Sequence, residues 1–224
     1  SRNMMVRIAT AAVAVSIAVV VISLAVIFGF KEQISSLVSG VAADVTISSP
    51  YSHRQPESHP ITDNEELRKL ITSTENIASI EPYALRNAIV RGESGAEGVL
   101  LKGVESAADL SLIESRLESG AMPQMEGARR KEVLLSRDLA RKIGAKSGSR
   151  IEIVLIEDDS PRREVFKVCG IYRSVLGNVA SALAITDIRN VQKINRWEQS
   201  QITGYACRLD APELSIATAD NINT

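Results

Sequence analysis

Two cysteines, two histidines and a single tryptophan among 224 residues leave little material for metal, redox or nucleophilic chemistry. Cys169 and Cys207 do not have zinc-type spacing, and two cysteines make no disulfide scaffold. They read either as one disulfide in an oxidising compartment or, more plainly, as two buried thiols on separate strands. His53 and His59 stand six apart in a proline-rich loop without the further ligands a metal site musters, so they read as solvated side chains. Ser136, Ser160 and Ser174 have no further histidine to serve as a base. No Gly-x-x-x-x-Gly-Lys-Ser/Thr loop occurs, and the glycine-rich GESGAEG at 92–98 lacks the lysine, so it reads as a hairpin turn. Charge of one sign is missing too. With 26 basic and 27 acidic residues the chain has no basic face for nucleic acid. Arg129-Arg130-Lys131, after Pro123 and Gly127, reads as a solvated loop. Glu157, Asp158 and Asp159 read as acids in a wet turn, and Trp197 as packing after a helix. The expectation is a protein with no catalytic, cofactor-binding or metal site.

What the chain does have is an uncharged run from Ile8 to Phe30, bounded by Arg7 and by Lys31-Glu32. A bilayer core requires about 20 apolar residues at 1.5 Å each, so the run is long enough to span. Its thirteen Val, Ile, Leu and Phe residues favour insertion by about 4 to 8 kcal/mol. A signal peptide has a shorter apolar region, and the small residues Val41-Ala42-Ala43 lie too far beyond Phe30 for ordinary cleavage. An uncleaved anchor is therefore expected. Arg2 and Arg7 place the N-terminus in the cytoplasm and the remainder outside. Within the run, Ala12 with Ser16 and Ala14 with Ala18 repeat at four-residue spacing, a pattern that admits a partner helix. Beyond it, Ile34, Leu37, Val38 and Val41 form one helical stripe, with Gly40 as a stop, and predict an amphipathic stalk continuous with the span.

The exported part carries 24 basic against 27 acidic side chains once Arg2 and Arg7 are set aside, a formal charge of −3. Its pattern predicts a strand at Val45–Ser48 and a helix capped by Thr62 or Asp63, with Leu67, Leu70 and Ile71 inward. Extended stretches are expected over Ile77–Arg91 and Val99–Val104. This β-α-β-β start implies a sheet with helices on one face. A helix follows over Leu110–Leu117, then a loop, then a strand at Glu132–Leu135 running into a helix at Arg137–Ile143 closed by Gly144. Arg150–Ile156 and Arg163–Tyr172 read as a hairpin joined by the charged turn EDDSPR. Ala180–Ile185 is expected as a strand, Asp187–Ile194 as a helix and Ile202–Leu209 as a strand. A last helix begins near Ala211-Pro212, and the chain ends in it as a truncated one would.

Taken in order, these segments carry a resemblance. SLAVIFGFKEQISSLVSGVAADVTISS is similar to the first span and stalk of the lipoprotein-releasing (Lol-type) ABC transporter permeases, within the macrolide-exporter (MacB-like) and FtsX-like permease group. Gly29-Phe30 stands at the end of the span and Val45-Thr46-Ile47 is the strand that follows. GVLLKGVE at 98–105 resembles the family's strand ending in a Lys-Gly-Val/Ile turn. EVLLSRDLARKIGAKSGSRIEIVLI at 132–156 resembles its strand, Leu-Ala helix and turn. FKVCGIYRS at 166–174 and ITDIRNVQKIN resemble two later family segments. Ser147-Gly148-Ser149 has serine where the family often has aspartate. Leu176-Gly177-Asn178 stands where relatives show glycine and acidic residues, so no role is carried over to that loop.

The resemblance implies an α+β fold made of an N-terminal transmembrane helix with a stalk, then a periplasmic β-α-β domain carrying an inserted β-rich subdomain. The expected division is a cytoplasmic flank at 1–7, the span at 8–30 and the stalk at 31–43. A discontinuous porter-like subdomain follows at 44–105 and 178–224, with the insert at 106–177. It implies a permease subunit of the bacterial inner membrane that couples ATP hydrolysis on a separate cytoplasmic ABC ATPase to periplasmic movement. A second permease subunit, a lipoprotein cargo and a periplasmic carrier are the implied partners. The turn Asp158, Asp159, Ser160, Pro161, Arg162, Arg163 is expected to be a partner contact or, more plainly, a solvated turn. An FtsX-like regulatory scaffold for cell-wall hydrolases and a membrane-anchored periplasmic binding module are the alternatives.

Overall fold

Period-two alternation of apolar side chains builds most of the molecule beyond residue 40. In β7 (Arg150–Leu155) Ile151, Ile153 and Leu155 are buried while their neighbours are not. β8 (Arg162–Tyr172) alternates likewise through Phe166, Val168 and Tyr172. The computed structural model describes residues 43–51, 58–106, 110–155, 161–174 and 182–222, with residues 7, 13–19 and 21 ahead of them. The chain divides into two units, Ser1–Ser39 and Gly40–Thr224.

In the first unit residues 13–19 are helical, and Val13, Val15, Ile17 and Val19 are exposed. Ala14, Ser16 and Ala18 belong to this helical stretch and are exposed as well. Among the described residues no helix is long and apolar enough to cross a membrane. Ala12 and the stalk positions Ile34, Leu37, Val38 and Val41 lie outside the described residues.

The second unit runs β1 (Val45–Ser48), β2 (Ile61–Thr62), α1 (Glu65–Thr72), β3 (Ile77–Arg91), β4 (Ala96–Val104), α2 (Ser111–Glu114), β5 (Leu117–Gly120), β6 (Glu132–Ser136) and α3 (Arg137–Ile143). After β7 and β8 come β9 (Leu183–Asp187), α4 (Ile188–Asn195), β10 (Gln201–Ile202), β11 (Gly204–Leu209), a 3₁₀ turn at Pro212–Leu214 and α5 (Ser215–Ile222). Six strands close on themselves. β3 pairs β4 antiparallel, β4 pairs β9 parallel, and β9 pairs β6 antiparallel. β6 pairs β8 parallel, β8 pairs β7 antiparallel, and β7 returns to β3 through Ile89–Val154, Val90–Ile153 and Arg91–Glu152. The ring encloses the main core, where Val90, Leu101, Val133, Leu135, Ile153, Leu155 and Val168 meet. A barrel of this size is filled by side chains and leaves no channel. The first half of β3 lies outside the ring and pairs β11, which pairs β1. Strands from 106–177 and from the flanking segments thus share one hydrogen-bonded sheet.

Two strand–helix units in the ring have one layout. β6 passes directly into α3 through Ser136, whose hydroxyl accepts from the Leu139 amide, and α3 ends at left-handed Gly144 (φ 71°). β9 passes directly into α4 through Asp187, which accepts from the Arg189 amide, and α4 ends at left-handed Arg196 (φ 61°). β6 and β9 lie side by side.

Four expectations need correction. Leu70, expected inward beside Leu67 and Ile71, is exposed. The first helix is capped by Asn64, whose side chain accepts from the Leu67 amide at 2.8 Å, because Asp63 is engaged by Arg68 and Tyr205. The helix expected over Leu110–Leu117 is only Ser111–Glu114, since Leu117 opens β5 and pairs Tyr172. The strand expected at Ala180–Ile185 runs from Leu183 to Asp187. Cys169 on β8 and Cys207 on β11 are free thiols, and burial pushes them up to about 12 and about 11 respectively.

Candidate functional site

β4 and β9 run parallel and end together, at Val104 and Asp187. Ligands of α/β sheets gather beyond the carboxyl ends of parallel strands. Here that position opens into a cavity of about 410 Å³. Glu105 and Asp187 line it from the strand ends, Arg189 and Gln192 from the first turns of α4, and Asp63 and Gln199 from loops.

Two charge networks make up its walls. Asp63 accepts from Arg68 Nε at 2.7 Å and Nη2 at 2.5 Å, and from the Tyr205 hydroxyl at 2.5 Å. The Arg68 guanidinium holds the Asp63 carboxyl below the usual carboxylate range. Burial, reinforced by its bond to Asp63, pushes the Tyr205 phenol up to about 12, so it stays a donor at neutral pH. Glu105 adds a longer contact to Arg68 at 3.5 Å. In the second network Asp187, 3% exposed at its side chain, accepts from Arg189 Nε at 2.9 Å and Nη2 at 2.5 Å. Arg189 also donates to the carbonyls of Gly127 and Met125.

Next to Arg189, fully buried Asn190 fastens the same loop. It donates to the Arg130 carbonyl and to Thr186 Oγ1, and its oxygen accepts from Arg129 Nη1 at 2.8 Å. Arg129-Arg130-Lys131, expected as a solvated loop, keeps Arg130 and Lys131 exposed but is tied to α4 through half-buried Arg129 and the Arg130 carbonyl, with Lys131 paired to Glu164 at 2.5 Å. The charged groups of this cavity are arranged to hold one another and to offer polar contacts. A nucleophile set against a base is not found among the described residues lining it. A second cavity of about 530 Å³ adjoins the first and shares Arg189, Gln192 and Gln199 with it.

The candidate residues from the sequence lie elsewhere. Asp158, Asp159 and Ser160 are outside the described residues; Pro161 and Arg163 are exposed. Arg162 donates from Nη2 to the Ile194 carbonyl, so the end of that turn is fastened to the C-terminus of α4. His53 is outside the described residues, and exposed His59 has its ring centroid 5.4 Å from that of Tyr51, the planes tilted by 47°. Among the described residues no group of His, Cys, Asp and Glu is placed to hold a metal ion. Trp197 packs against the core and also lines the second cavity. Sequence reading missed Asp63, Arg68, Tyr205 and Asn190. The only available signal was a helix, IRNVQKIN, that buries an asparagine and a glutamine among its apolar positions.

The fold and the sequence have recognisable relatives. The periplasmic region of MacB from Actinobacillus actinomycetemcomitans superposes with a TM-score of 0.50 over 83% of this chain and 86% of that one, at 13% identity. The lipoprotein-releasing system transmembrane protein LolC of Xylella fastidiosa (strain 9a5c) is 22% identical over 204 residues, 88% of this chain and 47% of the relative. The corresponding LolE of Haemophilus influenzae is 24% identical over 220 residues, 93% of this chain and 51% of the relative. The chain spans about half the length of the curated relatives it matches. The model of the MacB-like periplasmic core domain matches residues 8–224, nearly the entire length, and the chain belongs to that family.

Proposed function

We propose that this chain is the first membrane span and periplasmic domain of a permease subunit of a bacterial ABC transporter that acts in lipoprotein release. The observation that carries the reading is the family match over 8–224, joined to relatives named as transmembrane proteins of a lipoprotein-releasing system. The apolar run Ile8–Phe30 supplies the span, and Arg2 and Arg7 keep the N-terminus in the cytoplasm. Ala12, Ala14, Ser16 and Ala18 offer a packing face to another span, and Ile34, Leu37, Val38 and Val41 form the stalk. Energy comes from a separate cytoplasmic ATPase, and a second permease subunit completes the membrane unit. In this reading 44–105 with 178–224 is the porter-like part, 106–177 is its insert, and the turn Asp158–Arg163 meets the periplasmic partner.

Two experiments test the proposal. Affinity capture of the intact protein from native membranes in mild detergent is expected to bring down an ABC-type ATPase and a second permease subunit. Alkaline phosphatase joined after Thr224 is expected to be active outside the cytoplasm. Absence of any ATPase, or a fusion active only when the cells are broken, rejects the reading. Recovery of a cell-wall hydrolase in place of a lipoprotein carrier turns it toward the regulatory scaffold.

A further inference from the structure

Four cations line the 530 Å³ cavity, namely Arg129, Arg189, Lys193 and Arg196, with Gln192, Gln199 and Trp197 completing the wall. No acid is among these lining residues. Arg189 is balanced by Asp187, but Arg129 is held by the neutral amide oxygen of Asn190. Glu164, whose field reaches Lys193, is itself committed to Lys131 at 2.5 Å. Among the described residues, positive charge is left over at Arg129 and Lys193. Arg189 and Lys193 stand at i and i+4 on one side of α4, and Arg196, just past the helix end, lines the same cavity. Three of the carbonyls at this helix end, which would repel an anion, are already occupied. Arg162 donates to Ile194, the Arg196 amide to Lys193 and the Trp197 amide to Gln192.

Arg196 itself is costly where it stands. It takes the left-handed position that closes α4, and the equivalent position of α3 is Gly144. A glycine would sit there without strain. The chain instead keeps an arginine whose side chain lines the cavity, followed at once by the aromatic wall of Trp197.

From this arrangement we infer that the cavity is a binding site for a phosphate-class oxyanion of lipid-headgroup size. Guanidinium forks and an ammonium suit phosphate oxygens, and the volume is that of a small-molecule site. The site stands on this geometry alone and does not depend on the transporter reading.

Trp197 is the single tryptophan of the chain, so its fluorescence reports the site directly. The 224-residue chain in neutral detergent is titrated with inorganic phosphate, with glycerophosphoglycerol and with zwitterionic glycerophosphocholine. A saturable change is expected with at least one of the two anions, and only a weak response with glycerophosphocholine. R196G and K193Q are each expected to weaken binding by about tenfold. R196G places glycine in its favoured conformation, so a loss of binding with an unchanged or higher melting temperature is not a folding defect. R150Q, altered at an exposed residue of β7, is expected to bind as the parent does. Glycerophosphoglycerol binding at least about tenfold tighter than phosphate identifies a lipid headgroup, and equal or weaker binding identifies free phosphate. The inference is overturned if neither anion gives a saturable change up to about 10 mM. It is equally overturned if glycerophosphocholine binds as well as they do, or if both variants titrate like the parent.

Discussion

Gly103 shows how little room one residue leaves. A Cβ there would lie 2.7 Å from the Cα of Ile188 and 2.9 Å from Val191 Cγ2, so the close approach of β4 to α4 needs a glycine. Gly103→Ala is expected to cost about 1–3 kcal/mol, read as a lower urea midpoint. Asn190 is the opposite case, a buried polar group with every partner in place. Asn190→Ala leaves the Arg130 carbonyl and Thr186 without their donor, at about 1–3 kcal/mol. It also releases the loop at Arg129 and Arg130, so trypsin is expected to cut after either faster than in the parent. Asp63 sets a pH dependence. Its folded pKa is lowered, chiefly by Arg68, so the pair stabilises fully above the unfolded carboxylate value of about 3.9. That contribution is lost as pH falls through the lower folded value. Urea midpoints measured down through this range are expected to fall less steeply in Asp63→Asn, and parallel curves would count against the assignment. The roles of Gly103 and Asn190 depend on partners from other segments and could not be read locally. Asp63 was read only as a helix cap; Arg68 lies five residues on, but Tyr205 meets it from 142 positions away.

Among the elements, α3 and α4 were both legible, α4 to within one residue at each end, and the two share a layout. Around α3 every signal is local. A polar cap at Ser136, apolar Leu139, Ala140 and Ile143 on one side, and Gly144 as the stop fall within nine residues. α4 begins with an equally local cap at Asp187, but its stop is an arginine in a conformation that glycine ordinarily fills. The end expected at Ile194 is one residue short of the observed Asn195, although no glycine marks it. α2 falls short of its expected length because pairing with β8 claims Leu117, and no local pattern records that competition. Ser136→Ala is expected to cost about 1 kcal/mol through the lost cap, measurable as a lower urea midpoint with an unchanged slope. If the midpoint stayed in place, the hydroxyl would have no capping role.

For the molecule as a whole, strands could be read one by one but their closure could not. Alternation identified β7 and β8 as a hairpin. Nothing in it required the other edge of β7 to meet Ile89–Arg91, some sixty residues earlier. The 410 Å³ cavity was hidden for the same reason, since its lining is drawn from five or more separate segments. Because the ring joins 106–177 to both flanking segments, residues 40–224 are expected to unfold in one transition. Trp197 fluorescence and far-ultraviolet circular dichroism should then give coincident urea curves. Two separated transitions would mean that the insert holds together by itself.

The pairing of β1 with β11 bears on how this unit responds to force. The Asp44 amide donates to the Cys207 carbonyl, and the Leu209 amide donates to the Asp44 carboxylate, so the entry to β1 and the exit from β11 are side by side. A pull that moves both ends in the same direction draws the strand pair along its length and leaves its ladder intact. A pull that spreads them unzips the ladder one rung at a time, beginning at Val45 and Cys207. The same two strands are thus a stiff handle under shared tension and a tear line under divergent tension.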